Sequence, residues 1–130
     1  MTVAASPIVA SNDAASGING LVGATAVVNA FTSDTVNGVA ASPANATLSV
    51  APGAVPNGLT FDLATGNVDV AAGTPAGSYS FTYQLCETLN PSNCASATIT
   101  VDVVAAAIAA DADSVSGVNG ASGAANVLNV

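Results

Sequence analysis

Two thiols and eight carboxylates are the ionisable groups of this chain apart from its tyrosines. The 130 residues include no Lys, Arg or His, and the formal net charge is −8. A thiol pair either closes into a disulfide or works as a redox couple, and a redox thiol needs a nearby cation to lower its pKa. No such cation exists here, so Cys86 and Cys94 read as a structural disulfide, with a pair of free thiols as the alternative. A disulfide implies an oxidising compartment. Asp62 and Asp69 could be imagined as a carboxylate pair for glycoside hydrolysis. No other site residue accompanies them, and they read as surface strand ends. The missing cations remove P-loop and Schiff-base lysines, arginine clamps, histidine bases and His-containing metal sites. They also remove the electrostatic footprint for nucleic acid. No enzyme activity is expected, and a structural or binding module remains.

Half of the residues are apolar by count (51%), yet only 4% are aromatic. The longest strongly apolar run, Val103 to Ala110, is 8 residues, too short to cross a bilayer, so no membrane insertion is expected. Met1-Thr2-Val3 lacks a basic n-region, and no signal peptide is visible in these residues.

The chain repeats itself. Residues 8–30 align with residues 108–130 at a constant offset of 100, without a gap, and 11 of the 23 positions are identical. The clearest match sets Ser16-Gly17-Ile18-Asn19-Gly20 against Ser116-Gly117-Val118-Asn119-Gly120. One 100-residue repeat and the opening of the next is the reading that follows. It divides the chain into 1–107 and 108–130.

Turn signals recur at Asn19-Gly20, Asn37-Gly38, Pro52-Gly53, Pro56-Asn57-Gly58, Thr65-Gly66-Asn67, Pro75-Ala76-Gly77 and Asn90-Pro91. Between them lie strand-favouring runs over 26–31, 46–50, 59–63, 67–70, 78–86 and 95–104. Alanine favours helix, but Gly, Pro, Asn and β-branched residues interrupt every window long enough to nucleate one. The expected fold is all-β: an Ig-like antiparallel β-sandwich with a disulfide-stapled hairpin.

That hairpin is the sharpest local expectation. Tyr79, Phe81, Tyr83 and Leu85 alternate with Ser80, Thr82 and Gln84, and Ala95, Ala97, Ile99, Val101 and Val103 alternate with Ser96, Thr98, Thr100 and Asp102. Each parity, carried outward, places Cys86 and Cys94 on the polar face. If the cysteines sit opposite each other, Leu85 pairs with Ala95, Tyr83 with Ala97, Phe81 with Ile99 and Tyr79 with Val101. Every apolar partner then falls on one side. The outward Ser80, Thr82, Ser96, Thr98 and Thr100 form a hydroxyl array of a kind that can bind ice or sugars, although Thr is also a good exposed strand residue. Asn45-Ala46-Thr47 matches a glycosylation sequon.

Val55-Pro56-Asn57-Gly58-Leu59-Thr60-Phe61-Asp62-Leu63-Ala64-Thr65-Gly66 and Gly73-Thr74-Pro75-Ala76-Gly77-Ser78-Tyr79-Ser80-Phe81-Thr82-Tyr83 resemble bacterial Ig-like and cadherin-like extracellular repeats. The opening residues 8–13 are similar to the start of repeats in long surface adhesins. The resemblance implies a tandem module at the bacterial cell surface, serving as spacer, stalk or fibre, with neighbouring repeats or other copies of itself as partners. In cadherin-like arrays, linker carboxylates often bind calcium, whose hard oxygen ligands stiffen the joint. Asp111 and Asp113 stand where one repeat hands over to the next, and Asp13 is the counterpart of Asp113. Position 11 is Ser where position 111 is Asp, so the Asp-x-Asp is not repeated, and solvated linker charge is the other reading.

Residues 108–130 cannot bury their own apolar side chains. They begin a neighbouring repeat, add a strand to their own sandwich, or complete the sheet of another copy. Ile108, Val115, Val118, Val127 and Leu128 would carry the apolar contacts of such an assembly strand. A strand-exchanged fibre subunit is therefore the second functional reading, and a glycan- or ice-binding adhesin domain the third.

Overall fold

A computed structural model describes residue 4, residues 6–110 and residues 112, 116, 117, 120 and 123. The turns divide the described chain into ten strands. They are β1 (Ile8–Val9), β2 (Asp13–Asn19), β3 (Ala24–Asn29), β4 (Thr35–Val36), β5 (Val39–Ala40), β6 (Ala46–Ser49), β7 (Leu59–Phe61), β8 (Asn67–Val70), β9 (Gly77–Glu87) and β10 (Cys94–Val104). No helix forms among the described residues.

One sheet has the order β2-β10-β9-β6, the other β3-β8-β7, and a small sheet β1-β4-β5 sits beside them. Period-two alternation explains how the layers meet. Phe81, Tyr83 and Leu85 of β9 and Ile99 and Val101 of β10 are buried, as are Val28 of β3, Leu59 of β7 and Val68 and Val70 of β8. Phe61 stacks its ring 5.2 Å from that of Phe81 and 6.0 Å from that of Tyr83. The β9–β10 register is the expected one, with Cys86 opposite Cys94, Leu85 opposite Ala95, Tyr83 opposite Ala97, Phe81 opposite Ile99 and Tyr79 opposite Val101. Cys86 and Cys94 are disulfide-bonded.

Four strands lie outside the expected runs: β1, β2, β4 and β5. Three of them are two residues long, too short for any periodicity. The fourth, Asp-Ala-Ala-Ser-Gly-Ile-Asn, holds one large apolar residue and a Gly with φ of +69°. Its partner supplies what its own sequence lacks. β2 runs parallel to β10, Asp13 opposite Ile99 and Asn19 opposite Val104, with a register shift between Val101 and Val103.

The parallel pair has a topological cause. The chain comes in beside the β9–β10 loop, where Asn93 donates from its side-chain amide to the Ser6 carbonyl. It leaves from the far end of β10. A chain entering at one pole and leaving at the other runs its first and last long strands the same way, so adjacent they must pair parallel. The eleven-residue strands set the separation of the poles at about 35 Å. At the far pole Gly20 is obligatory: a Cβ there would fall 2.0 Å from the Thr74 carbonyl oxygen.

Candidate functional site

Among the described residues, the two buried carboxylates, Asp34 and Glu87, both lie toward the N-terminal pole. Asp34 follows β3 and is 1% exposed. Its Oδ2 accepts from the Tyr83 hydroxyl at 2.6 Å, and its Oδ1 accepts from the Ser11 backbone N–H at 2.8 Å. The same hydroxyl lies 3.3 Å from the carbonyl oxygens of Ser11 and Ala30. One carboxylate thereby ties the incoming chain, the β3 end and the middle of β9. Burial raises the Asp34 pKa above its ordinary value and the two hydrogen bonds oppose that rise, while the Asp13 charge adds to it. The Tyr83 phenol is held far above its usual range by burial and by Asp34, and stays protonated.

Asp13 opens β2. Its Oδ1 accepts from the Ser33 hydroxyl at 2.7 Å, and its Oδ2 is buried with no hydrogen-bond partner. Of the three candidate calcium ligands, this is the one placed. Asp111 and Asp113 lie outside the described residues, so no shared ligand set can be drawn. Among the described residues no three carboxylates or thiols gather as a metal site. The donor chemistry at Asp13 suits a hard cation, although Ser33 and Asp34 are its placed neighbours rather than a linker pair.

The second cluster sits in the stapled loop. Glu87 is 5% exposed, and its carboxylate accepts from the amide side chains of Asn90 and Asn93 at 3.0 Å. The Asn93 bond, then the Asn90 bond, hold its pKa below the ordinary glutamate value. The loop is thus closed twice, by the disulfide and by a carboxylate gripped between two amides. Beside it a cleft of about 390 Å³ is lined by Val36, Ala44, Asn45, Glu87, Thr88 and Leu89.

The hydroxyl array lies on the outer face of β9 and β10. Thr82 and Thr98 stand opposite each other with hydroxyls 3.4 Å apart, and Ser80 opposes Thr100. A shallow groove over this face is bordered by Ser49, Thr82, Gln84 and Ser96. Asp62 and Asp69 do not converge on a reacting centre: Asp62 Oδ1 caps the Ala64 N–H, and Asp69 Oδ1 accepts from the Ala26 N–H. Of the assembly-strand residues, Ile108 is 92% exposed, and Val115, Val118, Val127 and Leu128 lie outside the described residues.

Sequence reasoning counted Asp34 only among the carboxylates that could supply a calcium site, and foresaw neither its buried hydrogen-bonded role nor that of Glu87. A lone Asp among Thr and Ser carries no motif. For Tyr83 there was a signal: a tyrosine on the inward parity of a core strand must find its hydroxyl a partner. Among the described residues, no helix is long and apolar enough to cross a membrane.

No family model matches the chain, and no curated protein sequence matches it. Solved structures share its fold. One is protocadherin gamma B2, extracellular cadherin domains 3–6, at a TM-score of 0.51 and 12% identity over 76% of this chain. Another is a SusE-like surface-located polysaccharide-binding protein from the Bacteroides thetaiotaomicron heparin utilisation locus, at 0.50 and 19% over 78%. The matched parts are 22% and 15% of those chains. The likeness establishes a cadherin-like or Ig-like β-sandwich.

Proposed function

We propose that this chain is an extracellular structural repeat module, a spacer or stalk unit of a bacterial surface adhesin or fibre. One observation carries the reading. The chain enters at one pole and leaves at the other, and the sequence of its first three strands recurs after the exit. Modules with ends at opposite poles thread into an extended array, whereas modules with adjacent ends do not. The disulfide supports an oxidising, extracellular setting. A single-sign charge keeps such a surface soluble and self-repelling along its sides.

A second reading, a fibre subunit joined by strand exchange, is favoured by the edge position of β2. The half-buried Asp13, Ala15 and Ile18 have Asp113, Val115 and Val118 as counterparts, and Gly117 has φ of +73° beside +69° at Gly17. Residues 113–119 therefore carry the side chains that the β2 slot accepts.

Light scattering on the eluting peak, across a concentration series with and without chelator, separates these readings. A stalk module stays monomeric at dilute concentration. Growing assemblies that vanish on deleting residues 108–130 would select strand exchange. A change on chelation alone would assign calcium to Asp13, Asp111 and Asp113. Saturable glycan or ice binding lost in T98A or T100A would select the third reading, toward which the polysaccharide-binding structural neighbour points.

A further inference from the structure

Exposed aliphatic side chains concentrate at the two poles. At the C-terminal pole, the turn between β2 and β3 presents Leu21 and Val22, 65% and 68% exposed. The Gly20 N–H donates to the Val104 carbonyl at 3.3 Å, holding this tip against the end of β10. At the N-terminal pole Leu89, 84% exposed, rims the cleft lined by Val36, Ala44, Asn45, Glu87 and Thr88.

We propose that these poles form a repeat-to-repeat interface, in which Leu21 and Val22 of one copy seat in the Val36–Ala44–Leu89 cleft of the copy that follows it. This rests on the tandem reading, and two further facts lead to it. The first is chain length. β10 ends at Val104, and the counterpart of Ile8 is Ile108, leaving Ala105-Ala106-Ala107 as the whole linker. Val104 and Ile108 can then be no more than about 14 Å apart. Ile8 lies at the N-terminal pole, where the preceding Pro7 carbonyl accepts from the Asn37 N–H. So short a tether brings the cleft of the next copy to the tip of this one.

The second is charge. Every charged side chain here is negative, so a contact between copies must be made where carboxylates are absent or neutralised by hydrogen bonds. At the C-terminal pole, segments 19–23, 71–77 and 104–107 contain none of the eight acids, and Asp102, near the end of β10, stands on the outer face opposite Ser78. In the cleft the one carboxylate, Glu87, is buried and held by Asn90 and Asn93. Asp13, which opens β2, and Asp62, in the turn after β7, do not line the cleft. The contact is head-to-tail, which generates an open array rather than a closed dimer. The counterparts of Leu21 and Val22 are Ala121 and Ser122, so the apolar tip stiffens this joint and is missing from the next.

The test is a two-copy protein, residues 1–107 joined to residues 8–130, studied with chelator present so that calcium cannot stiffen the linker. Nuclear spin relaxation reads whether the copies tumble together. The expected result is one shared rotational diffusion tensor, with methyl contacts between Leu21 of the first copy and Leu89 of the second. L21A/V22S in the first copy, or L89S in the second, should release the copies to tumble independently while the melting temperature stays unchanged. If both copies fold yet tumble independently, or L21A/V22S leaves their tumbling coupled, the interface is wrong and the tandem reading stands. If the second copy fails to fold after the three-alanine linker, the tandem reading falls and takes the interface with it.

Discussion

The β9–β10 hairpin and the N-terminal edge are held together by different physics. Ten residue pairs in unbroken register join β9 to β10, and their inward side chains form the middle of the core. The edge formed by β1 and β2 has two residue pairs to β4 and an interrupted parallel ladder to β10. Its anchors are single polar bonds over long sequence distances: Ser11 N–H to Asp34, Thr98 N–H to the Asn12 side chain, and the Asn93 side chain to Ser6. Repetition makes the hairpin tolerant of losing any one bond. The edge depends on fewer and more scattered bonds.

The comparison can be broken most forcefully at Leu85, which is fully buried between Leu48 of β6 and Ala95 of β10. L85A should cost about 2–5 kcal/mol and lower the urea midpoint in one cooperative transition that takes both sheets together. Loss of the edge alone would contradict the hairpin's central place.

Removing the staple with C86S/C94S should cost about 2–3 kcal/mol in the chain-entropy model. The β9–β10 register, read from cross-strand proton contacts, should persist. A slipped register would mean that the disulfide, rather than the alternating pattern, sets the pairing.

Next in size is Y83F, which takes the phenol donor from the buried Asp34 and should cost about 1–3 kcal/mol. Amide hydrogen exchange over residues 11–19 should accelerate more than exchange within β9 and β10. Equal acceleration throughout would show that the edge and the hairpin open as one unit.

The smallest effect is on the pH dependence, where the two polar clusters oppose each other. The raised Asp34 pKa means that the folded state holds that proton more tightly than the unfolded chain does. Its contribution is fully present below the unfolded value of 3.8 and is lost as pH rises through the folded value. Glu87 is lowered, so its contribution is present above 4.5 and is lost as pH falls through the folded value. Between pH 3 and 7, urea midpoints of D34N should lack the gain on acidification, and those of E87Q should lack the loss.

The same division governs what could be read without coordinates. Tyr79 to Leu85 and Ala95 to Val103 alternate strictly, and a period of two fixes both the buried face and, with one cross-strand point at the cysteines, the register. The runs over 46–50, 59–63 and 67–70 became β6, β7 and β8, each within those bounds. β2 was invisible because Ala14, Ala15, Ser16 and Gly17 carry almost no hydrophobic signal; β10 makes it a strand by offering backbone groups to pair. Asp34 and Glu87 were legible only as charges. Their burial depends on donors at Ser11, Tyr83, Asn90 and Asn93, and for Asp34 those donors lie 23 and 49 residues away.

By itself the sequence determined the all-β class, the stapled hairpin with its register, the recurrence at an offset of 100 and the exclusion of chemistry that needs a cation. Each follows from composition or from spacing within one or two strands, where physical neighbours are also sequence neighbours. Tertiary structure alone decided the parallel β2–β10 pair, the burial of Asp34 and Glu87, and the placing of Leu21, Val22 and Leu89 at opposite poles. Those features join residues far apart in the chain, and only the closed sandwich brings together, or separates, the groups that satisfy them.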